Sequence, residues 1–152
     1  MPINMSMPRR NVMGSFRFFV ELGGVFTAGF SEVTGLQTEQ ELHQYYEGGL
    51  NEYPHQFPKR MKYSNLVLKR GISHSTLLWE WYMSVQPGQS FRRDGAIILV
   101  DRSGMEICRW NFTGAYPIKW SGPDLNATRN EIGIESIELV HTGLKAIYTK
   151  LI

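Results

Sequence analysis

The sequence predicts a mainly β domain carrying one α-helix, and three observations predict it. Phe16, Phe18, Val20 and Leu22 alternate with Arg17, Phe19 and Glu21, the period-two pattern of a strand with one apolar face. Ala96-Ile97-Ile98-Leu99-Val100 is a short continuous apolar run, which is how a strand covered on both faces reads. A helical stripe is convincing only over 74–86, where Leu77, Leu78, Trp81, Tyr82 and Val85 share one side.

In chain order, Gly23-Gly24 supplies a hairpin turn after the first strand, and 25–30 returns beside it. The stretch 36–46 is extended and polar on both faces. Gln37, Glu39, Glu41 and His43 lie on one side, and Thr38, Gln40, Leu42 and Gln44 on the other. Such a strand is either a solvated edge or the wall of a wet cavity built by several subunits, since a long bare edge invites pairing. Residues 48–62 hold Gly48-Gly49, Pro54 and Pro58 and read as a long loop. Leu50, Tyr53, Phe57 and Met61 are costly to leave bare there, so the loop is read as a contact arm; the alternative is a loop folded back on its own barrel.

Residues 65–70 form the next strand, closed by Gly71. Ser73 is placed to cap the helix and Pro87-Gly88 to stop it, with Trp79 on the helix flank. Asp101-Arg102-Ser103-Gly104 turns the apolar strand into 105–113, where Cys108, Trp110 and Phe112 share a face. Tyr116, Ile118 and Trp120 then alternate with Pro117 and Lys119, and Pro117 marks an edge or a bulge. Across 131–141 the apolar parity switches, from Ile132 and Ile134 to Ile137 and Leu139. This predicts a β-bulge or sharp bend near Glu135-Ser136. Residues 145–150 can add a short final strand.

Composition limits the function. A chain of 152 residues is expected to be one domain, and 42% apolar with 20% charged residues is ordinary for a globular protein. The net charge of +2 offers no basic face for nucleic acid, and Lys59-Arg60-Met61-Lys62 reads as a solvated loop or subunit contact. Cys108 stands alone, which rules out an internal disulfide and a cysteine zinc cluster; a buried thiol is expected, not a nucleophile. No segment approaches the roughly 20 apolar residues of a membrane helix, and 1–12 has no signal-peptide core, so the protein is expected to be made in the cytoplasm without a membrane anchor. His43, His55, His74 and His141 lie on separate elements without metal-ligand spacing. Glu39, Glu41 and Glu47, like Glu131, Glu135 and Glu138, read as solvated faces. No phosphate loop, nucleophile elbow or dinucleotide fingerprint occurs. Catalytic, cofactor-binding and metal residues are therefore expected to be none, with no cofactor, and an enzyme is not expected.

Several segments together carry a family likeness. They are Ala28-Gly29-Phe30-Ser31-Glu32-Val33-Thr34-Gly35-Leu36, Tyr45-Tyr46-Glu47-Gly48-Gly49 before a Pro-containing loop, and Leu68-Lys69-Arg70-Gly71 ahead of Leu78-Trp79-Glu80-Trp81. Arg92-Arg93-Asp94-Gly95, Trp110-Asn111-Phe112 and the turn 122–127 complete the set. In this order and spacing, 16–144 resembles the tail tube proteins of contractile phages and phage-like contractile injection systems. His74 departs from the pattern, since relatives often begin the helix with an acidic residue there.

The resemblance implies a single antiparallel β-barrel or sandwich with one flanking helix at about 74–86. It is similar in fold to the haemolysin-coregulated tube protein of type VI secretion. It implies an N-terminal arm over 1–13, an inter-subunit loop over 48–62 and a C-terminal extension over 145–152. Six copies would close into a ring, and stacked rings would make a hollow tube driven through a target envelope by sheath contraction, conducting cargo or DNA. Implied partners are the chain itself, the sheath protein, the baseplate hub and spike, the tube initiator and terminator, and a tape-measure protein or cargo in the lumen; sequence-specific nucleic-acid binding is not. Assembly in the cytoplasm, as part of a phage tail or a particle released outside the cell, is expected. Glu39, Glu41 and His43 are lumen candidates, or else their opposite-parity neighbours Thr38, Gln40 and Gln44. Leu50, Tyr53, Phe57, Lys59, Arg60 and Met61 are candidates for inter-ring or inter-subunit contact. Alternative readings are a baseplate-proximal tube initiator of the same family and, in a different class, a small β-barrel ligand-binding module.

Overall fold

A computed structural model describes residues 16–23, 25–45, 55–72, 75–88, 92–128 and 133–149. The proposed arm at 1–13, Leu50, Tyr53, Ser73, His74 and the last three residues of the extension lie outside them. In chain order the elements are β1 (Arg17–Leu22), β2 (Val25–Phe30), β3 (Glu32–Thr34), β4 (Thr38–Tyr45), β5 (His55–Tyr63), β6 (Leu66–Gly71), α1 (Leu77–Ser84), β7 (Arg93–Val100), β8 (Glu106–Ser121), β9 (Ile134–Val140) and β10 (Gly143–Tyr148).

Eight strands form one sheet, seven in the order β2-β1-β7-β8-β9-β6-β3 with β10 added beside β8, and all its pairings are antiparallel. Its two outermost strands, β2 and β3, are consecutive in the chain and separated only by Ser31. The Ser31 amide donates to the Lys69 carbonyl at 2.9 Å, so the sheet curls until its ends meet and a barrel closes. The long β8 carries two partners along one side. β9 lies against Tyr116–Ser121 and β10 against its first half, turning at Thr142, whose amide donates to the Thr113 carbonyl at 2.9 Å.

Inward side chains fill the barrel. Leu66, Leu68, Ile97, Phe112, Ile137 and Leu139 are fully buried, and Leu78 and Trp81 of α1 join them. As the apolar run predicts, β7 is covered on both faces: Ile97 enters this core while Ala96, Ile98 and Val100 pack with Phe19 in a second cluster. Between β7 and β8, the Asp101 carboxylate accepts from the amides of Ser103 and Met105 and from the Ser103 hydroxyl, holding the expected tight turn.

Three expectations need correction. The helix is shorter than 74–86: Thr76 stands at its N-cap, and Val85 is already extended because Pro87 lies just ahead. The region 48–62 is not all loop, since His55–Tyr63 is a strand paired with β4. No bulge occurs at Glu135-Ser136, because β9 keeps an unbroken register with β6 from Leu139 to Ile134. The irregularity lies on β8 between Pro117 and Lys119, beside the proline that lacks an amide donor. The apparent parity switch has an ionic cause. Glu135 points inward with Ile137 and Leu139, and Ile134 is left exposed.

Glu135 is thus no solvated acid. It pairs across strands with Arg70 of β6 at 2.5 Å, and both side chains are almost wholly buried. Arg70 also donates through Nη2 to the Ser75 carbonyl at 3.2 Å, tying the approach to α1 onto the barrel. Removing one partner leaves the other charge buried without compensation. Glu135→Ala is therefore expected to lose about 3–5 kcal/mol in urea unfolding, whereas the double change Arg70→Met with Glu135→Leu loses far less. Equal losses in both variants would show that the charge pair is not what matters there.

Candidate assembly interface

β4 and β5 form a separate two-stranded sheet that pairs with no other strand among the described residues. None of their residues enters either core cluster. Leu42, Phe57 and Met61 are each about half exposed on it (52%, 47% and 53%). A two-stranded ribbon is marginal in water by itself, and half-exposed apolar side chains on such a ribbon mark a contact surface.

Its root is clamped to the barrel. Gly35 adopts a left-handed φ of +91° directly against the Asn65 carbonyl, where a Cβ would sit 1.8 Å from the oxygen. The Ser64 amide donates to the Gln37 carbonyl at 3.3 Å. The His141 ring stands between the Ser64 carbonyl, 2.9 Å from Nε2, and the Gly143 carbonyl, 3.0 Å from Nδ1, and lies against the Tyr63 ring. Sequence reasoning missed this role for His141; the only signal is its place at the β9–β10 corner.

Register sorts the ribbon's two faces. Glu39 opposes Lys62, Glu41 opposes Arg60 and His43 opposes Phe57, so these six share one side. Thr38, Gln40 and Leu42 oppose Tyr63, Met61 and Pro58 on the other, with Lys59 in a bulge between. The lumen candidates Glu39, Glu41 and His43 therefore lie together, and on the same face as the contact candidates Phe57 and Arg60. Met61 is on the opposite, uncharged face. Leu50 and Tyr53 belong to the tip segment outside the described residues.

Glu41 receives Arg60 Nε at 2.6 Å and Lys62 Nζ at 2.8 Å on its two oxygens. Hydrogen bonds from Lys62 and then Arg60 hold its carboxyl at about 2, well below the ordinary value of 4.5. The lowered value stabilises the ribbon above the ordinary carboxylate range, and this is lost as pH falls through about 2.

The remaining sequence motifs are structural. Arg93 lies over the Trp81 ring at 5.9 Å, and Asp94 accepts from the Gly114 amide at 2.9 Å. Cys108 is buried, and burial, with Glu106 adding, pushes its thiol up, away from a reactive thiolate. Among the described residues no group of three or more His, Cys, Asp or Glu is placed to hold a metal ion, and no helix is long and apolar enough to cross a membrane.

A closed small barrel with a filled interior and a projecting, unpartnered ribbon defines a structural subunit whose outward surfaces are built for contact. The chain belongs to the family described as T4-like virus tail tube protein gp19, whose sequence model matches residues 14–145. It is similar to a chain of the sheath–tube complex of an extracellular contractile injection system, PVC, in the extended state, at 27% identity over 88% of this chain and 89% of that one, with a TM-score of 0.78. A chain of the anti-feeding prophage cap, the AFP tube terminating cap, matches at 26% identity over 89% and 90%, also at 0.78. Hcp1 from Flavobacterium johnsoniae shares the fold at 16% identity and a TM-score of 0.53, covering 86% of this chain and 94% of its own. No curated protein matches the sequence.

Carboxyl-carbon NMR of the labelled protein is expected to show no titration of Glu41 between about pH 6 and pH 4, and Lys62→Met to move its midpoint back toward the ordinary carboxylate value. A wild-type midpoint near the ordinary value with the ribbon intact would contradict the paired geometry.

Proposed function

We propose that this tube protein is the main inner-tube subunit of a contractile injection system or phage tail. Copies close into hexameric rings, the rings stack into a hollow tube, and contraction of a surrounding sheath drives that tube through a target envelope. Cargo or DNA passes along the bore. The chain's partners are then itself, the sheath, the baseplate hub and spike, the tube initiator and terminator, and a tape-measure protein or cargo. Assembly takes place in the cytoplasm.

The observation that carries this reading is the β4–β5 ribbon, whose strands pair only with each other among the described residues and which keeps Leu42 and Met61 half exposed. Equivalent ribbons from six copies, side by side, cover these side chains and make a continuous wall. The charged face suits a bore: Glu39 and Glu41 stand against Arg60 and Lys62, two carboxylates against two cations, so the patch is polar without net charge. Such a lining neither traps nor repels a polyanion strongly. Glu39, Glu41 and His43 are the lumen residues in this arrangement, and Met61 and Leu42 on the other face are contact residues. Leu50, Tyr53, Phe57 and Lys59 are assigned to contacts between subunits or rings, Phe57 toward the ribbon's tip, while Arg60, proposed from the sequence as a contact residue, is assigned to the lining with Glu41. The packed interior weighs against the ligand-binding cup, since fully buried side chains already occupy it.

Negative-stain electron microscopy tests the proposal. The purified protein is expected to form rings and tubes. Replacing residues 39–62 by Asn-Gly, a turn suited to joining Thr38 and Tyr63, is expected to leave a folded barrel that forms neither. Normal tubes from that variant would remove the ribbon from the assembly.

A further inference from the structure

The turn 122–127 presents an apolar side chain that the ribbon does not explain. Leu125 is 87% exposed, the most exposed of the described large apolar side chains. The turn that carries it is held on both sides. Pro123 lies directly over Gly133, so closely that a Cβ there would be 2.7 Å from the proline Cβ. Beyond Leu125, the Asn126 side-chain oxygen accepts from the Thr128 amide at 3.0 Å and the Thr128 hydroxyl at 2.7 Å. A fixed turn thus displays a bare leucine beside an exposed carboxylate, Asp124.

Elsewhere on the surface is a pocket of about 410 Å³ between β1, β2 and β6. Phe18, Phe19 and Phe30 make its walls apolar, Arg17 stands at it, and Arg70 lies in its lining. Arg70 is 3% exposed, and its Nη1 is buried with no hydrogen-bond partner among the described residues. Arg70 is held by Glu135 and its Nη1 is closed off from solvent, so the cation that an incoming group meets at this pocket is Arg17.

We propose that Leu125 of one copy seats in this pocket of a second copy. Asp124 then meets Arg17. The charges match, with an acid beside the leucine and an exposed arginine at the pocket. The two surfaces differ, so the contact is head-to-tail and propagates from copy to copy instead of ending at a dimer. The inference rests on the assembly reading above and adds to it a contact outside the ribbon.

Two opposed variants and a cross-link test it in the full chain. Leu125→Asp spoils the incoming side chain. Gly29→Leu plugs the pocket at a residue with no positive φ, where a Cβ meets nothing closer than 3.4 Å, so the barrel is expected to fold unchanged by circular dichroism. Each is expected to raise the protein concentration needed for assembly by at least about tenfold, the worth of burying one leucine. In the double variant Leu125→Cys with Ser31→Cys, Ser31 being part of the pocket lining, mild oxidation is expected to give a ladder of disulfide-linked multimers. If the wild type forms tubes while Leu125→Asp assembles equally well and the double variant gives no ladder, this contact is overturned and the assembly reading stands. If the wild type forms neither rings nor tubes, both fall.

Discussion

A ribbon of two strands has no interior, and that constraint governs the outward side of this molecule. Every strand of the barrel has neighbours to share its hydrogen bonds and a core to receive its inward side chains. Among the described residues, β4 and β5 pair only with each other. Their shape is held by local devices: the left-handed Gly35 at the root, the His141 ring against Ser64 and Tyr63, and Glu41 gripped by Arg60 and Lys62. Exposed ion pairs contribute little each, so they set register and geometry more than they supply stability. What remains is an ordered ribbon whose outer edges pair with no other strand among the described residues, the kind of edge that invites pairing.

The barrel meets the opposite requirement. Its interior is full, and its buried Arg70–Glu135 pair links β6, β9 and the approach to α1 in one contact. Buried pairs of this kind are poor sources of stability, because desolvation offsets attraction. This one aligns two strands directly opposite each other and fixes the segment leading into the helix. The pair thereby stiffens the barrel, while the ribbon and the turn 122–127 stay on its surface.

How legible this was depends on whether apolar pattern or polar geometry carried the signal. The apolar run of β7, the stripe of Leu78 and Trp81 and the Asp101 turn were readable because burial and turn chemistry leave local marks. β5 was not, because Pro58 and a run of basic residues interrupt its few apolar ones, so it has the composition of a loop. Its order comes from pairing with β4, a relation between distant residues. Glu135 misled for a related reason: a buried ion pair writes a charged letter where the pattern expects an apolar one, and exposed Ile134 completed a false change of phase. Glu39, Glu41 and His43 share a face, as their spacing predicts, but its sharing with Arg60 and Phe57 needed the register across the bulge at Lys59.

The uncovered surfaces are more than one, and this bears on the kind of polymer. A closed ring needs one pair of complementary patches per subunit. A stack of rings needs a second pair, directed elsewhere. Here the ribbon carries Leu42, Phe57 and Met61, while a separate turn carries Leu125, and no element is shared between them. A monomer leaves both bare, and an isologous dimer formed through either leaves the other bare. Contacts along two independent directions use both, and a stack of rings is the simplest closed arrangement that has two.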